Sequence, residues 1–95
     1  MFKIFITSSA KRSAKKLPQE VKEEVIKFCN NYIAKHPFDS ERLHKPLDDC
    51  RSFHFKLNGV HYRIAYKIIE NDKRIDVVLI GARENFYQKL KRLLK

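Results

Sequence analysis

The chain has 95 residues, enough for one small domain spanning 1–95, and its 43% hydrophobic content supplies a core without staples. Only 2 Gly and 3 Pro argue against a linker, a collagen-like repeat or a disordered tail, and no apolar run approaches the roughly 20 residues of a membrane-spanning helix. Lys and Arg number 21 against 11 Asp and Glu, a net charge of +10.

Ten basic and five acidic residues lie up to Leu47, eleven and six beyond it, so each half carries +5. The excess therefore belongs to the folded body and not to a basic arm. A domain of this kind is expected to meet a polyanion, nucleic acid or an acidic protein. The opening apolar stretch, Met1–Ile6, is shorter than the roughly 7–15-residue core of a secretion signal, so the expected compartment is a reducing cytoplasm. Cys29 and Cys50 form no disulfide framework. A zinc site assembled from Cys50, His44, His54 and His61 has no C-x-x-C or H-x-x-x-H spacing behind it, and no metal or other cofactor is expected.

In chain order, Phe2, Ile4 and Ile6 alternate with Lys3, Phe5 and Thr7, the period of a strand. Ser8 or Ser9 then caps a helix. Ala10, Ala14, Leu17, Val21, Val25, Phe28 and Tyr32 follow at steps of three or four, one apolar stripe of helical period. Pro18 divides the stripe into two helices, about 9–17 and 18–35, because proline suits a first turn and not a helix interior. His36-Pro37 ends the second. A loop over 38–50 leads to a strand over 51–57, with Phe53, Phe55 and Leu57 on one face and Ser52, His54 and Lys56 on the other. Asn58-Gly59 is a strong two-residue hairpin signal, since both positions need positive φ. The return strand, 61–69, puts Tyr62, Ile64, Tyr66 and Ile68 inward and His61, Arg63, Ala65 and Lys67 outward. A turn at Asn71-Asp72 precedes a third strand over 74–80, which Gly81 is expected to break, and 84–94 reads as a closing helix through Phe86, Leu90 and Leu94. The expectation is an α+β fold, β-α-α-β-β-β-α, with two N-terminal helices packed on a mainly antiparallel four-stranded sheet.

The hairpin turn fixes a register: Leu57 opposite Val60, Lys56 opposite His61, Phe55 opposite Tyr62 and His54 opposite Arg63. Apolar pairs fall on the core side. On the other side, His54, Lys56, His61 and Arg63 gather as two cross-strand pairs of cationic or potentially cationic residues. Like charges directly opposite one another are destabilising. A fold gains nothing structural from collecting them, whereas a phosphate site requires them.

The run K-P-L-x(5)-F-H-F-K-L-x-G-x-x-Y-R-I-A-Y-K-I over 45–68, followed by V-V-L-I-G-A-R-E-N-F-Y over 77–87, resembles the RelE/ParE toxin superfamily of toxin–antitoxin systems. The resemblance covers nearly the whole chain, and the Y-R-I-A-Y strand is its most specific part. It implies a RelE-like fold and two kinds of activity, ribosome-dependent messenger-RNA cleavage in the RelE-like branch and gyrase poisoning in the ParE-like branch. Carried over residue by residue, the RelE-like catalytic set falls on His54, Lys56, Arg63, Arg83 and Tyr87, which favours the nuclease. His54 departs from the best-known pattern, which has lysine there. His61, Lys67 and Lys45 are the accompanying candidates for RNA contact.

RNA cleavage without a metal uses the ribose 2′-hydroxyl as nucleophile on the adjacent phosphate. A base takes its proton, cations stabilise the charge gained at phosphorus, and an acid protonates the leaving 5′ oxygen. Arg63 and Arg83 suit the phosphate through paired N–H donors. His54, of a type with an unperturbed pKa near ~6.5, suits proton transfer, and Lys56 can share it. Tyr87 is expected to stack on a base or bond the phosphate. The resemblance also implies as partners a cognate antitoxin, the ribosome and messenger RNA, with no membrane and no small-molecule cofactor. The Lys-rich helix faces and Lys89–Lys95 are the expected antitoxin contacts. The alternatives are a ParE-like gyrase inhibitor without a hydrolytic site and a catalytically silent basic nucleic-acid-binding module.

Overall fold

The computed structural model of the chain describes residues 1–94. Strand β1 (Lys3–Ile6) leads into helices α1 (Ser8–Ala14) and α2 (Gln19–Phe28), and the chain then forms β2 (Glu41–Arg42), β3 (Arg51–Leu57), β4 (Val60–Ile69), β5 (Arg74–Ala82) and α3 (Phe86–Leu93). The sheet order is β1-β5-β4-β3-β2, with β1 parallel to β5 and every other pair antiparallel. This is the expected α+β class with one additional strand. Residues Glu41 and Arg42, placed in a loop by the sequence, pair with Ser52 and Arg51. Two residues are too few to display any alternation, so the pairing had no periodic signal.

The stripe from Ala10 to Tyr32 does become a helical hairpin. Thr7, rather than a serine, caps α1, its hydroxyl accepting from the Ala10 amide at 3.3 Å. Beyond Phe28 the second helix widens into one π turn over Cys29–Ile33, where the Ala34 amide donates to the Cys29 carbonyl at 2.9 Å. Ala10, Val21, Val25, Cys29 and Ile33 pack on Phe55, Tyr62, Ile64, Tyr66, Ile75, Val77 and Ile80 of the sheet. Phe28 adds an aromatic layer, its ring 4.9 Å from both Phe53 and Phe55.

Strand β5 carries one extra residue between the partners of Ala65 and Tyr66, so that Val77 and Ile80 both face the helical hairpin. Such a bulge disturbs the ladder, and the hydroxyls at the start of α1 meet the polar groups there. Thr7 and Ser9 donate to the carbonyls of Val77 and Val78 at 2.8 Å each, while Ser13 accepts from the Ile80 amide at 3.0 Å. Gly81 does not break the strand. It pairs with Arg63, and β5 continues to Ala82.

The opposite face of the sheet holds a second core, made by Leu43, Leu47, Cys50, Ala65, Val78, Leu79, Phe86 and Leu90. The closing helix and the 43–50 segment therefore cover part of the surface expected to be polar and open. Two-sided burial explains the continuous apolar run Val77–Ile80 in β5, which alternation would have made half polar. The connecting segment is tied down by buried Tyr66, whose hydroxyl donates to the Pro37 carbonyl at 2.6 Å, and by Arg51, which donates to the carbonyls of Phe38 and Ser40. The turn end of the β3–β4 hairpin is left uncovered on this face, as is β1, where Lys3 and Phe5 are exposed.

Leu90 is fully buried in the second core. Leu90→Ala is expected to cost about 2–5 kcal/mol through lost transfer energy and cavity formation, lowering Tm by roughly 8 °C or more in a domain of this size. Thermal unfolding followed by circular dichroism measures it, and an unchanged Tm would show that α3 is not part of the core.

Candidate functional site

The hairpin has the register that its turn dictates: His54 opposite Arg63, Phe55 opposite Tyr62, Lys56 opposite His61 and Leu57 opposite Val60. Asn58 and Gly59 both take positive φ, 51° and 80°. A side-chain hydrogen bond from Asn58 to Glu20 anchors the turn to α2. Four residues of proton-carrying or cationic type thus stand together on the uncovered face.

Arg63 is the most enclosed of them, its side chain only 17% exposed. Its guanidinium lies over the Tyr87 ring, 5.3 Å from the centroid, in cation–π contact. Tyr87 is in turn fixed by the first turn of α3 and meets Phe86 edge-on. The buried Nε of Arg63 has no hydrogen-bond partner among the described residues, and a different nitrogen, Nη1, lies 4.0 Å from Oε1 of Glu41. Glu41 is well exposed, so this long ion pair is worth about 0–1 kcal/mol and is readily exchanged for another anion. A guanidinium held in place by stacking, with its donors largely uncommitted, is prepared for phosphate oxygens.

Arg83 follows β5 directly, and its amide donates to the His61 carbonyl at 2.9 Å, extending the ladder by one residue. Its side chain is exposed beside the hairpin end. His54 and His61, diagonal neighbours across β3 and β4, meet through His54 Nε2 and His61 Nδ1 at 2.8 Å. Their planes differ by 9° and their centres are 5.0 Å apart. That separation is what two coplanar imidazoles joined nitrogen to nitrogen must have; the rings meet edge to edge rather than face to face. Desolvation lowers the His61 pKa from its ordinary value, and the charges of Arg83, His54, Lys56 and Arg63 push it the same way.

Of the residues singled out in the sequence, His54, Lys56, His61, Arg63, Arg83 and Tyr87 gather at this end. Lys45 lies nearby, lining a hollow with Glu41, Tyr87 and Lys91. Lys67 does not join them. It stands four residues beyond Arg63 on β4, opposite Asp76. Cys50 is fully buried in the second core, where burial raises its thiol pKa. No group of three His, Cys, Asp or Glu side chains suited to a metal ion occurs among the described residues. Sequence reasoning missed Glu41, which β2 brings to Arg63, and Ser52, buried in line with His54 on β3 with no partner for its hydroxyl among the described residues. An acid in an apparent loop and a serine in an alternating strand carry no distinguishing pattern.

The arrangement unites two guanidinium groups, an ammonium group and a hydrogen-bonded imidazole pair on one open surface. Chemically it can bind a phosphodiester, stabilise added charge on it, and move a proton.

A family model described as ParE-like toxin of type II bacterial toxin–antitoxin system matches residues 4–91. Toxin RelE of Mycobacterium tuberculosis is 27% identical over 88 residues, which is 92% of this chain and 87% of that protein. Among solved structures, the RelBE2 toxin–antitoxin complex of the same organism superposes with a TM-score of 0.74 at 22% identity, covering 86% of this chain and 98% of the matched one. A mutant of the E. coli toxin RelE in the free state gives 0.75 at 20% identity, covering 96% of each chain. The structural likenesses establish that the fold is shared.

His61 is expected to titrate below the ordinary histidine value of about 6.5, and Arg83→Ala to raise its pKa. Because the folded-state value is depressed, this group's contribution favours the fold more as pH rises through the ordinary histidine range and is lost as pH falls through it. Side-chain NMR titration measures this, and a His61 pKa at or above the ordinary value would contradict the geometry.

Proposed function

The chain belongs to the ParE-like toxin family of type II bacterial toxin–antitoxin systems, and from that premise we propose that it is a RelE-like endoribonuclease that cuts messenger RNA on the ribosome. The observation that carries the reading is the hairpin-end cluster, where Arg63, Arg83 and Lys56 surround a hydrogen-bonded histidine pair. A toxin that acts by docking alone on gyrase has no use for proton carriers among phosphate-binding cations. The basic body, at +10, supplies general attraction to ribosomal RNA, and the ribosome supplies alignment of the message.

In the proposed reaction the 2′-hydroxyl attacks the adjacent phosphorus as an imidazole takes its proton. Arg63 and Arg83 bind the non-bridging oxygens, and their donors strengthen as charge grows on them. Tyr87 serves as the platform that aims the Arg63 fork. Lys56 adds a positive charge beside His61. Protonation of the 5′ oxygen releases a 5′-hydroxyl end and leaves a 2′,3′-cyclic phosphate. The base and the phosphate-binding cations are assigned to side chains of this domain, and the reading is of a metal-independent nuclease acting in the cytoplasm.

A cognate antitoxin is the second proposed partner, and the solved neighbour bound in a toxin–antitoxin complex supports it. An open groove between α1 and α3 has an apolar floor that includes Leu17, Ile80 and Phe86, with Arg12, Lys16 and Lys89 among its lining. An acidic segment with an apolar face suits it. Lys95, the last of the basic residues expected to contact such a partner, lies outside the described residues.

Arg63→Ala and Arg83→Ala are each expected to abolish growth arrest on induction and to lower message cleavage by about 10²–10³-fold, with circular dichroism spectra unchanged. Message integrity in induced cells and DNA-break signalling are read together. A fully toxic Arg63→Ala protein would overturn the site, and gyrase-linked DNA breaks with intact message would replace the nuclease with the gyrase reading.

A further inference from the structure

The histidine pair has a property that neither ring has alone. Two neutral imidazoles joined by one N–H···N bond hold two protons between them: one in the bond, the other on one of the two outer nitrogens. The outer nitrogens are His54 Nδ1 and His61 Nε2, since His54 Nε2 and His61 Nδ1 face each other at 2.8 Å. Whichever tautomer is present, one outer nitrogen is a base and the other carries a proton. The coplanar arrangement, 9° between planes, suits movement of the bridging proton along the bond.

We propose that His54 and His61 act as one tautomeric proton relay, moving the ribose 2′ proton to the leaving 5′ oxygen. This deepens the endoribonuclease reading and rests on it. In one direction, His61 Nε2 takes the 2′ proton as the O2′–P bond forms. The bridging proton passes from His61 Nδ1 to His54 Nε2, and His54 Nδ1 gives its proton to the 5′ oxygen as the P–O5′ bond breaks. The opposite tautomer runs the same sequence with the rings exchanged. No proton is gained or lost overall, and the pair ends in its other tautomer, which solvent exchange resets. In-line displacement puts the attacking and leaving oxygens on opposite sides of phosphorus. A single ring serves both only by moving, whereas two rings joined edge to edge present a nitrogen at each end.

The surroundings favour the neutral form of His61, which the relay needs. Lys56 on β3, Arg63 on β4 and Arg83 after β5 all bear on His61. From the other side, His54 shares a hollow with His36, Asp39 and Glu41 of the connecting segment, and Glu41 is turned toward Arg63. Adding a proton to the pair occupies both outer nitrogens and removes the base. Cleavage should therefore fall on the acid side along a single-proton limb and hold level above it. Two histidines working separately, one as base and one as acid, produce a bell instead.

The test measures ribosome-dependent cleavage by wild type, His54→Ala, His61→Ala and the double variant across pH, with 15N spectra of the imidazoles recorded on the wild-type protein. The relay predicts that each single change costs about 10²-fold or more, that the double change costs no more than either single one, and that the wild-type profile has no alkaline fall in the histidine range. It also predicts a bridging proton shared by His54 Nε2 and His61 Nδ1 in the spectra. Circular dichroism of the variants confirms folding, since neither ring is buried in a core. Additive losses, a full-activity single variant, a bell-shaped profile or independent tautomers in a protein that still cuts RNA would overturn the relay. A wild-type protein that leaves RNA intact overturns the nuclease reading itself, a different result read in the first lane.

Discussion

The two-residue turn at Asn58-Gly59 is the constraint on which the site depends. Its positive φ angles match the right-handed twist of the flanking strands and leave a single register. A slip by one residue would send Phe55, Tyr62 and Ile64 to the outer face and bring His54, Lys56 and Arg63 into the aromatic layer beneath α2. Core and site are thus two sides of one pairing. The drive to bury Phe55 against Tyr62 is also what holds the like charges side by side.

The fold makes that crowding tolerable by local means. Glu41 sits at the edge of reach of Arg63, the Tyr87 ring takes the guanidinium on its face, and the two histidines share a hydrogen bond. The second core matters here for function as much as for stability. By burying Phe86 and Leu90 it fixes α3, and α3 holds Tyr87 against Arg63. The same core covers the outer face of β4 at Ala65.

The hairpin, its register and the helical stripe were legible because each rests on a local rule, a turn chemistry or a period. The second core was legible only in part. Phe86, Leu90 and Leu94 showed a helical stripe, but Leu43, Leu47 and Cys50 lie in irregular chain, where burial has no period to display. The run Val77-Val78-Leu79-Ile80 was the signal for two covered faces, and the bulge at this point is why simple alternation does not describe it. Gly81 shows a different limit. Glycine permits a break without requiring one, and here it has ordinary strand geometry with the Phe86 ring packed over it. At the site, cross-strand pairing predicted His54 with Arg63 and Lys56 with His61. The contact actually formed by the rings is the diagonal one, a choice of side-chain rotamer that strand register does not dictate.

The central claim is that the basic hairpin end cleaves messenger RNA that the ribosome presents to it. The most direct measurement is primer extension across a reporter message in a purified translation system, with and without ribosomes. Cuts within codons, present only in the lanes containing ribosomes, are the predicted result. Intact message in every lane would contradict the account.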